Sequence, residues 1–268
     1  VYLSHFWHIP WPPWDVFRIV PQSARIIAGL LANDLLGFQL PRYAENFMDC
    51  AQRELGADID PDAGLVDYQG HVTKVGAFPI SVDFRKLEQT AGSARADATF
   101  ANLGATYHLQ GLRYGLGVDR LDYTKGIPQR LEALDLFFDR YPEWRQRFTF
   151  VQKVSRSRST IREYRELERQ VEARVAAINA RWGTPAWQPV LYLPGPLPHG
   201  GLEALYRHAD LALVTSLQDG MNLVTKEFIA CQTGPETGAL LLSELAGVAG
   251  LRGRRTGLRV LHAAPPLL

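Results

Sequence analysis

From residue 114 to residue 243 short β-forming runs alternate with amphipathic helical segments, and that alternation limits the fold more tightly than anything else in the chain. Strands are predicted near 114–119, 148–152, 190–193, 210–216 and 239–243. A helix with Leu131, Leu134, Phe137 and Phe138 along one stripe separates the first two. A longer one, roughly 160–181, separates the next two, with Ile161, Tyr164, Leu167, Val171, Val175 and Ile178 stepping by three or four. Helices near 200–208 and 222–232 complete the series. Strands joined by crossover helices run parallel. The pattern therefore predicts a doubly wound α/β domain whose ligands sit at the carboxyl ends of its strands.

The preceding segment follows the same rhythm less regularly. Strands are predicted at 2–6, 35–39 and 72–78, the first running into the rigid turn His8-Ile9-Pro10-Trp11-Pro12-Pro13, where proline ends the ladder. A helix after the second strand has Pro41 in its first turn, Phe47, Cys50, Ala51 and Leu55 on one face, and Gly56 as its stop. Residues 57–70 read as an acidic surface loop, and the polar, Ala-rich stretch 88–102 as a surface helix or linker. A domain boundary is placed near 105, giving domains at 1–105 and 106–268, for which 268 residues suffice. A formal net charge of +1 provides no global field for nucleic acid or an anionic membrane. No apolar run nears the ~20 residues of a membrane span. Two cysteines, Cys50 and Cys231, fit reduced thiols in a cytoplasmic enzyme better than a disulfide framework. The start at Val1, inside an apolar segment, reads as a truncation.

Candidate chemistry gathers at strand ends. After the strand at 114–119 comes Gly117-Val118-Asp119-Arg120-Leu121-Asp122-Tyr123-Thr124-Lys125-Gly126. A guanidinium and an ammonium on one loop, Arg120 and Lys125, suit a diphosphate; the plainer reading pairs Arg120 with Asp119 or Asp122 and leaves Lys125 in water. The spacing is not that of a Walker loop. After 210–216 comes Asp219-Gly220-Met221-Asn222-Leu223-Val224-Thr225-Lys226-Glu227. Glycine at a strand-to-helix turn admits a ligand to the backbone, and a helix start favours negative charge. Glu227, about two turns into that helix, suits ribose hydroxyls, while Asp219 either meets a sugar or caps the helix. His8 is either a packed residue or a site residue at its strand end. Arg156 and Arg158, before the long helix, form either a solvated charge run or an anion site. The histidines show no metal-ligand spacing with one another or with the cysteines, so no metal site is predicted.

Taken together, these segments resemble glycosyltransferase family 20. The resemblance rests on His8-Ile9-Pro10 with its Pro-rich turn, Leu36-Gly37-Phe38-Gln39 with Pro41-Arg42, Gly76-Ala77-Phe78-Pro79-Ile80, and Gly117 to Gly126. It continues through Ile178-Asn179-Ala180-Arg181-Trp182-Gly183-Thr184-Pro185, Val214-Thr215 with Asp219 to Glu227, and Leu242-Ser243-Glu244, in family order over residues 1–250. It implies a GT-B fold, two Rossmann-like doubly wound domains across a cleft, the N-terminal one incomplete here. It implies a retaining transfer of glucose from UDP-glucose to glucose 6-phosphate, giving trehalose 6-phosphate and UDP, with no cofactor and no metal. By the same analogy Arg120 and Lys125 hold the donor diphosphate, and Glu227 takes the ribose. Backbone N–H groups at Asn222, Leu223 and Val224 support ribose and phosphate. Asp219 and His8 contact the transferred glucosyl group, and Arg158 reaches the acceptor phosphate. The partners implied are small molecules only, in the cytoplasm, without nucleic acid or membrane; a homo-oligomer is left open.

The departures from the family pattern are specific. Relatives begin upstream with a Gly-rich loop and an Arg for the acceptor phosphate, and the chain carries neither. Gln218 stands where an Arg commonly precedes Asp-Gly, Lys153-Val154-Ser155-Arg156 replaces an apolar stretch, and Trp7, Trp11 and Trp14 point to a divergent branch. After about Gly250 an Arg-rich, Pro-ended tail replaces the family's continuation, as a truncation or a frame error would produce. The alternatives are glucosylglycerol-phosphate synthesis from ADP-glucose and glycerol 3-phosphate, or a non-catalytic sugar-phosphate sensor.

Overall fold

The computed structural model describes residues 1–155, 162–234, 236–250 and 259–263. The chain forms two compact bodies, Val1–Ile80 with Asp219–Met221, and Ser81–Gln218 with Asn222–Leu268.

The first body contains β1 (Ser4–Trp7), α1 (Trp14–Phe17), α2 (Ser23–Leu30), β2 (Leu35–Phe38), α3 (Pro41–Leu55), β3 (Asp58–Asp60), β4 (Leu65–Tyr68) and β5 (His71–Ala77). Its five-stranded sheet has the order β1-β2-β5-β4-β3. β1, β2 and β5 run parallel, as crossover helices require; β5, β4 and β3 form an antiparallel meander. The Pro-rich turn after β1 delivers Trp11 into the centre of this body. Its ring lies 4.5 Å from Phe17, 5.0 Å from Trp7 and from Phe47, and 6.2 Å from Phe38. Its indole N–H donates to Cys50 Sγ at 3.4 Å. Helix α3 starts at Pro41, ends at Gly56 and buries Phe47, Cys50 and Ala51, as its sequence pattern predicts.

The stretch 57–70 is a hairpin and not the acidic loop read from its composition. Asp58 and Asp60 face solvent while Ile59 pairs with the buried Val66. The aspartates close the turns: Asp60 Oδ1 accepts from Ala63 N, and Asp67 Oδ1 from Gly70 N. Gln69 (φ 56°) and Gly70 (φ 81°) form the two-residue connection from β4 to β5, with both residues left-handed.

The second body begins with α4 (Phe84–Ala91) and α5 (Ala94–Thr106). There follow β6 (Arg113–Arg120), α6 (Ile127–Arg140), β7 (Phe148–Ser155), α7 (Arg162–Trp182), β8 (Val190–Leu193), α8 (Gly201–His208), β9 (Leu211–Val214), α9 (Leu223–Cys231), β10 (Ala239–Ser243) and β11 (Arg259–Ala263). The division falls at Ile80/Ser81, earlier than the boundary placed near 105, because α4 packs on α9 and α5 on α8. Asp97 on α5 receives Arg207 Nε and faces His208 Nε2, each at 3.1 Å.

All six strands of the second sheet are parallel, in the order β11-β10-β9-β6-β7-β8. Numbered from the first strand of this body, that is 6-5-4-1-2-3, the doubly wound order of dinucleotide-binding domains. One strand more is present than the five predicted: β11, in the tail, runs beside β10 from Ala239↔Arg259 to Ser243↔Ala263. One face of the sheet packs on α6 and α7 through Leu131, Phe138, Phe150, Val171 and Ile178. On the other face Tyr114 reaches α8, its hydroxyl donating to the Leu205 carbonyl at 2.7 Å.

Candidate functional site

The strand order reverses between β6 and β9, which pair directly at Gly115↔Leu211 and Leu116↔Ala212. Loops leaving the carboxyl ends of two such strands diverge to opposite faces and open a crevice between them. The two loops singled out from the sequence are the ones that leave β6 and β9.

The first loop turns through a 3-10 turn, Tyr123–Lys125, capped by Asp122, whose Oδ1 accepts from Thr124 N at 3.0 Å and from Thr124 Oγ1 at 2.9 Å. Arg120, at the end of β6, is exposed, with Nη2 3.8 Å from Asp122 Oδ2. Asp119 does not pair with it; that carboxylate is buried on Arg130 at 2.5 Å. Lys125 is half-buried and precedes Gly126, whose φ of 64° both ends the 3-10 turn and starts α6. A side chain at Gly126 would overlap the Thr215 carbonyl, so only glycine lets the two loops approach this closely.

The loops are joined by hydrogen bonds. Leu217 N donates to the Thr124 carbonyl at 2.7 Å, and Thr215 Oγ1 to the Lys125 and Gly126 carbonyls at 3.3 Å each. The Arg120–Lys125 segment and the run that leaves β9 at Thr215 therefore stand at the same end of one sheet.

In the second loop Asn222 (φ 78°, ψ 90°) is the cap of α9, its Oδ1 accepting from Thr225 N at 2.9 Å and Thr225 Oγ1 at 2.8 Å. Asp219 is therefore not the helix cap. The amide groups of Leu223 and Val224 fall in the first turn of α9, where backbone donors have no partner within the helix. Glu227 is half-buried, and its Oε2 accepts from the Tyr206 hydroxyl at 3.0 Å. Burial first, and then the Glu227 carboxylate, pushes the Tyr206 phenol well above its ordinary pKa, which keeps it a donor. Asp219–Met221 group with the first body, where a side chain at Gly220 would overlap the His8 carbonyl.

His8 is exposed at the end of β1, with Gln39 Nε2 3.4 Å from its Nδ1. Gln39 is buried and its Oε1 accepts from Ile80 N at 3.0 Å, which orients the amide with its nitrogen toward the imidazole. Neutral His8 thus accepts at Nδ1 and carries its proton at Nε2. Arg158 and Arg156 lie outside the described residues. Among the described residues no group of three His, Cys, Asp or Glu side chains could hold a metal ion, and no helix is long and apolar enough to cross a membrane.

Arg130, Tyr206 and Gln39 carry the supporting contacts and were not picked out from the sequence as site residues. Arg130 and Tyr206 sit inside apolar helix stripes, where only an ionic or polar residue at a core-facing position could have flagged them.

The sequence profile of glycosyltransferase family 20 matches residues 1–252. The alpha,alpha-trehalose-phosphate synthase [UDP-forming] 56 kDa subunit of Saccharomyces cerevisiae is 38% identical over 249 residues, 93% of this chain and 49% of that protein. A Burkholderia xenovorans alpha,alpha-trehalose-phosphate synthase (UDP-forming), solved with glucose-6-phosphate, superposes with a TM-score of 0.86 at 31% identity, covering 92% of this chain and 55% of that one. The E. coli trehalose-6-phosphate enzyme solved with UDP-2-fluoro glucose gives 0.84 at 30% identity, over 92% and 54%. The chain spans about half the length of the S. cerevisiae relative, and its fold is of the GT-B class.

Proposed function

The chain belongs to glycosyltransferase family 20, and from that premise we propose that the protein carrying it moves glucose from UDP-glucose to glucose 6-phosphate with retention, releasing trehalose 6-phosphate and UDP. The observation that carries this reading is the stitching of the Arg120–Lys125 loop to the end of β9 at the strand-order reversal. It ties the loop that carries Arg120 and Lys125 to the run that leads on toward α9 and Glu227.

In this reading the second body holds the nucleotide sugar. Arg120 and Lys125 bind the diphosphate, the first-turn amides from Asn222 to Val224 support it together with the ribose, and Glu227 accepts from the ribose hydroxyls through the oxygen that Tyr206 leaves open. Asp219 and the Nε2–H of His8 meet hydroxyls of the glucosyl group. The first body serves the acceptor, and by the family resemblance Arg158 takes its phosphate. Departure of UDP leaves positive charge on the sugar and negative charge on the diphosphate. Preorganised cations stabilise that developing negative charge without reorganising during the step. The acceptor hydroxyl attacks from the face the diphosphate vacates and passes its proton to the leaving phosphate oxygen, so the anomeric configuration is kept. The substrates are phosphorylated metabolites of the cytoplasm, and the buried thiols of Cys50 and Cys231 are at home there.

The test is a panel on the full protein: UDP-glucose or ADP-glucose, each with glucose 6-phosphate or glycerol 3-phosphate. Product from UDP-glucose with glucose 6-phosphate alone, in the α,α configuration, is expected. Product from ADP-glucose with glycerol 3-phosphate would replace the assignment. No turnover, with thermal stabilisation by glucose 6-phosphate but none by UDP, would make the protein a sensor.

A further inference from the structure

Beneath the Arg120–Lys125 loop lies a guanidinium to which the proposed chemistry gives no role. Arg130, in the first turn of α6, is 1% exposed. Its Nη1 donates to Asp119 Oδ2 at 2.5 Å and to Gln152 Oε1 at 2.9 Å, its Nε to Thr215 Oγ1 at 3.0 Å, and its Nη2 faces the Lys125 carbonyl at 3.5 Å. These partners sit on β6, on β7, just past the end of β9, and on the loop itself. Gly117 makes the room, since a side chain there would overlap Nη1.

The position of each partner gives this fork its meaning. Asp119 directly precedes Arg120. The Lys125 carbonyl belongs to the second proposed cation. Thr215 begins the run that leads to Asp219, and its hydroxyl also reaches the Lys125 and Gly126 carbonyls. Asp119 cancels the charge of Arg130, so the pair adds little to the field at the loop. A planar, five-donor guanidinium instead fixes geometry at several points at once, which an ammonium cannot do. Buried ion pairs add little net stability, and their best-attested use is to specify one arrangement over others.

We infer that Arg130 is a positioning residue for the nucleotide diphosphate: acting through Asp119, Thr215 and the Lys125 carbonyl, it sets the spacing of Arg120 and Lys125 from each other and from the end of β9. The inference rests on the diphosphate reading given above.

Deleting Arg130 outright would strand the Asp119 carboxylate in the interior, so the decisive variants are milder. Thr215→Val removes one anchor at nearly constant volume and leaves the Arg130–Asp119 pair intact; Thr215→Ser returns the hydroxyl. Arg130→Lys keeps the charge balance and removes the fork. In the full protein Thr215→Val, which removes the acceptor of Arg130 Nε and the donor to the Lys125 and Gly126 carbonyls together, should weaken UDP binding by about tenfold in calorimetry. It should raise KM for UDP-glucose, leave KM for glucose 6-phosphate unchanged although the unpaired Arg130 Nε–H lowers the ligand-free melting temperature somewhat, and be rescued by Thr215→Ser. Arg130→Lys should weaken UDP more. Parental UDP affinity in both variants overturns the inference, and so does a joint shift of both KM values with the melting temperature, the mark of a merely structural role. Arg120→Ala separates the two layers of the reading. If it abolishes UDP binding while Thr215→Val and Arg130→Lys keep the parental affinity, only the positioning role falls. If it leaves UDP binding intact, the diphosphate reading falls and the inference with it.

Discussion

The two bodies solve the interior problem differently. In the first, aromatic rings meet around Trp11, and the polar support for a candidate site residue is one buried amide, Gln39, at 3.4 Å from His8. In the second, a buried charged pair, Arg130 and Asp119, with the buried Gln152 and the half-buried Thr215, lies directly under the loop that presents Arg120 and Lys125. One imidazole can be aimed by a single hydrogen bond. Two cations that must keep a fixed spacing need a scaffold with several attachment points, and the second body gives up apolar packing to provide it. The contrast predicts that packing losses dominate in the first body and functional losses in the second.

The largest effect belongs to Trp11→Ala. Removing a fully buried indole that touches four other rings should destabilise the protein by about 3–5 kcal/mol, read from the denaturant midpoint at constant m-value. A loss below about 1 kcal/mol would deny the aromatic cluster its structural role and remove one side of the comparison.

Arg120→Ala comes next and should show the reverse profile. The side chain is exposed and only 3.8 Å from its nearest carboxylate, so folding should hardly notice its loss. Turnover should fall by about 10²–10³-fold, the usual cost of removing one preorganised donor to a developing anion. Near-parental rates in both Arg120→Ala and Lys125→Ala would strip the loop of its proposed role.

Why the loops were legible in the sequence and their supports were not follows from the same contrast. A strand end followed by charged and glycine residues breaks the hydrophobic period, so Arg120, Lys125, Asp219 and Glu227 stand out. The parallel strands from β6 to β10 are short β-forming runs separated by amphipathic helices, and were equally visible. Arg130 is hidden because it sits one residue from the apolar Leu131 at a core-facing position, where a long polar side chain looks like an exposed one until its partners are known. Tyr206 likewise passes as packing. The hairpin Asp58–Asp60 with Leu65–Tyr68 was missed because aspartate is depleted in strands, yet here carboxylates serve the turns while Ile59 pairs with the buried Val66. Composition placed the boundary near 105 because 88–102 is polar and Ala-rich; tertiary packing of α4 and α5 on α9 and α8 decides it otherwise. Arg158 lies outside the described residues, and its acceptor role stays a proposal.

A smaller effect sharpens the second side of the comparison. Tyr206→Phe removes the donor to Glu227 Oε2 without opening a cavity. If that bond orients the carboxylate for ribose, UDP binding should weaken by about 0.5–1.5 kcal/mol. The preference for UDP over 2′-deoxy-UDP should shrink with it. An unchanged preference would show that Glu227 is held by its helix alone.

The smallest effect asks whether polar contacts of the second body matter outside the loops. His208 on α8 lies 3.1 Å from Asp97 on α5, stacks on Phe100 at 4.1 Å, and neighbours Arg207, which shares the same carboxylate. Burial, the larger influence, lowers its pKa; Asp97 opposes that shift and Arg207 adds to it. A histidine whose folded pKa lies below the unfolded value of about 6.5 binds fewer protons folded than unfolded. Its contribution is therefore complete above about pH 6.5 and is lost as the pH falls through that value toward the folded pKa. The melting temperature of the parent should drop more steeply than that of His208→Gln between about pH 7 and pH 5.5. Parallel curves would mean that the contact carries no linkage, and a parent that gains on the variant as the pH falls would mean that Asp97 outweighs burial. In that last case His208 would join Arg207 as a cation on the Asp97 carboxylate, and charge would outweigh burial at this contact away from the loops as well.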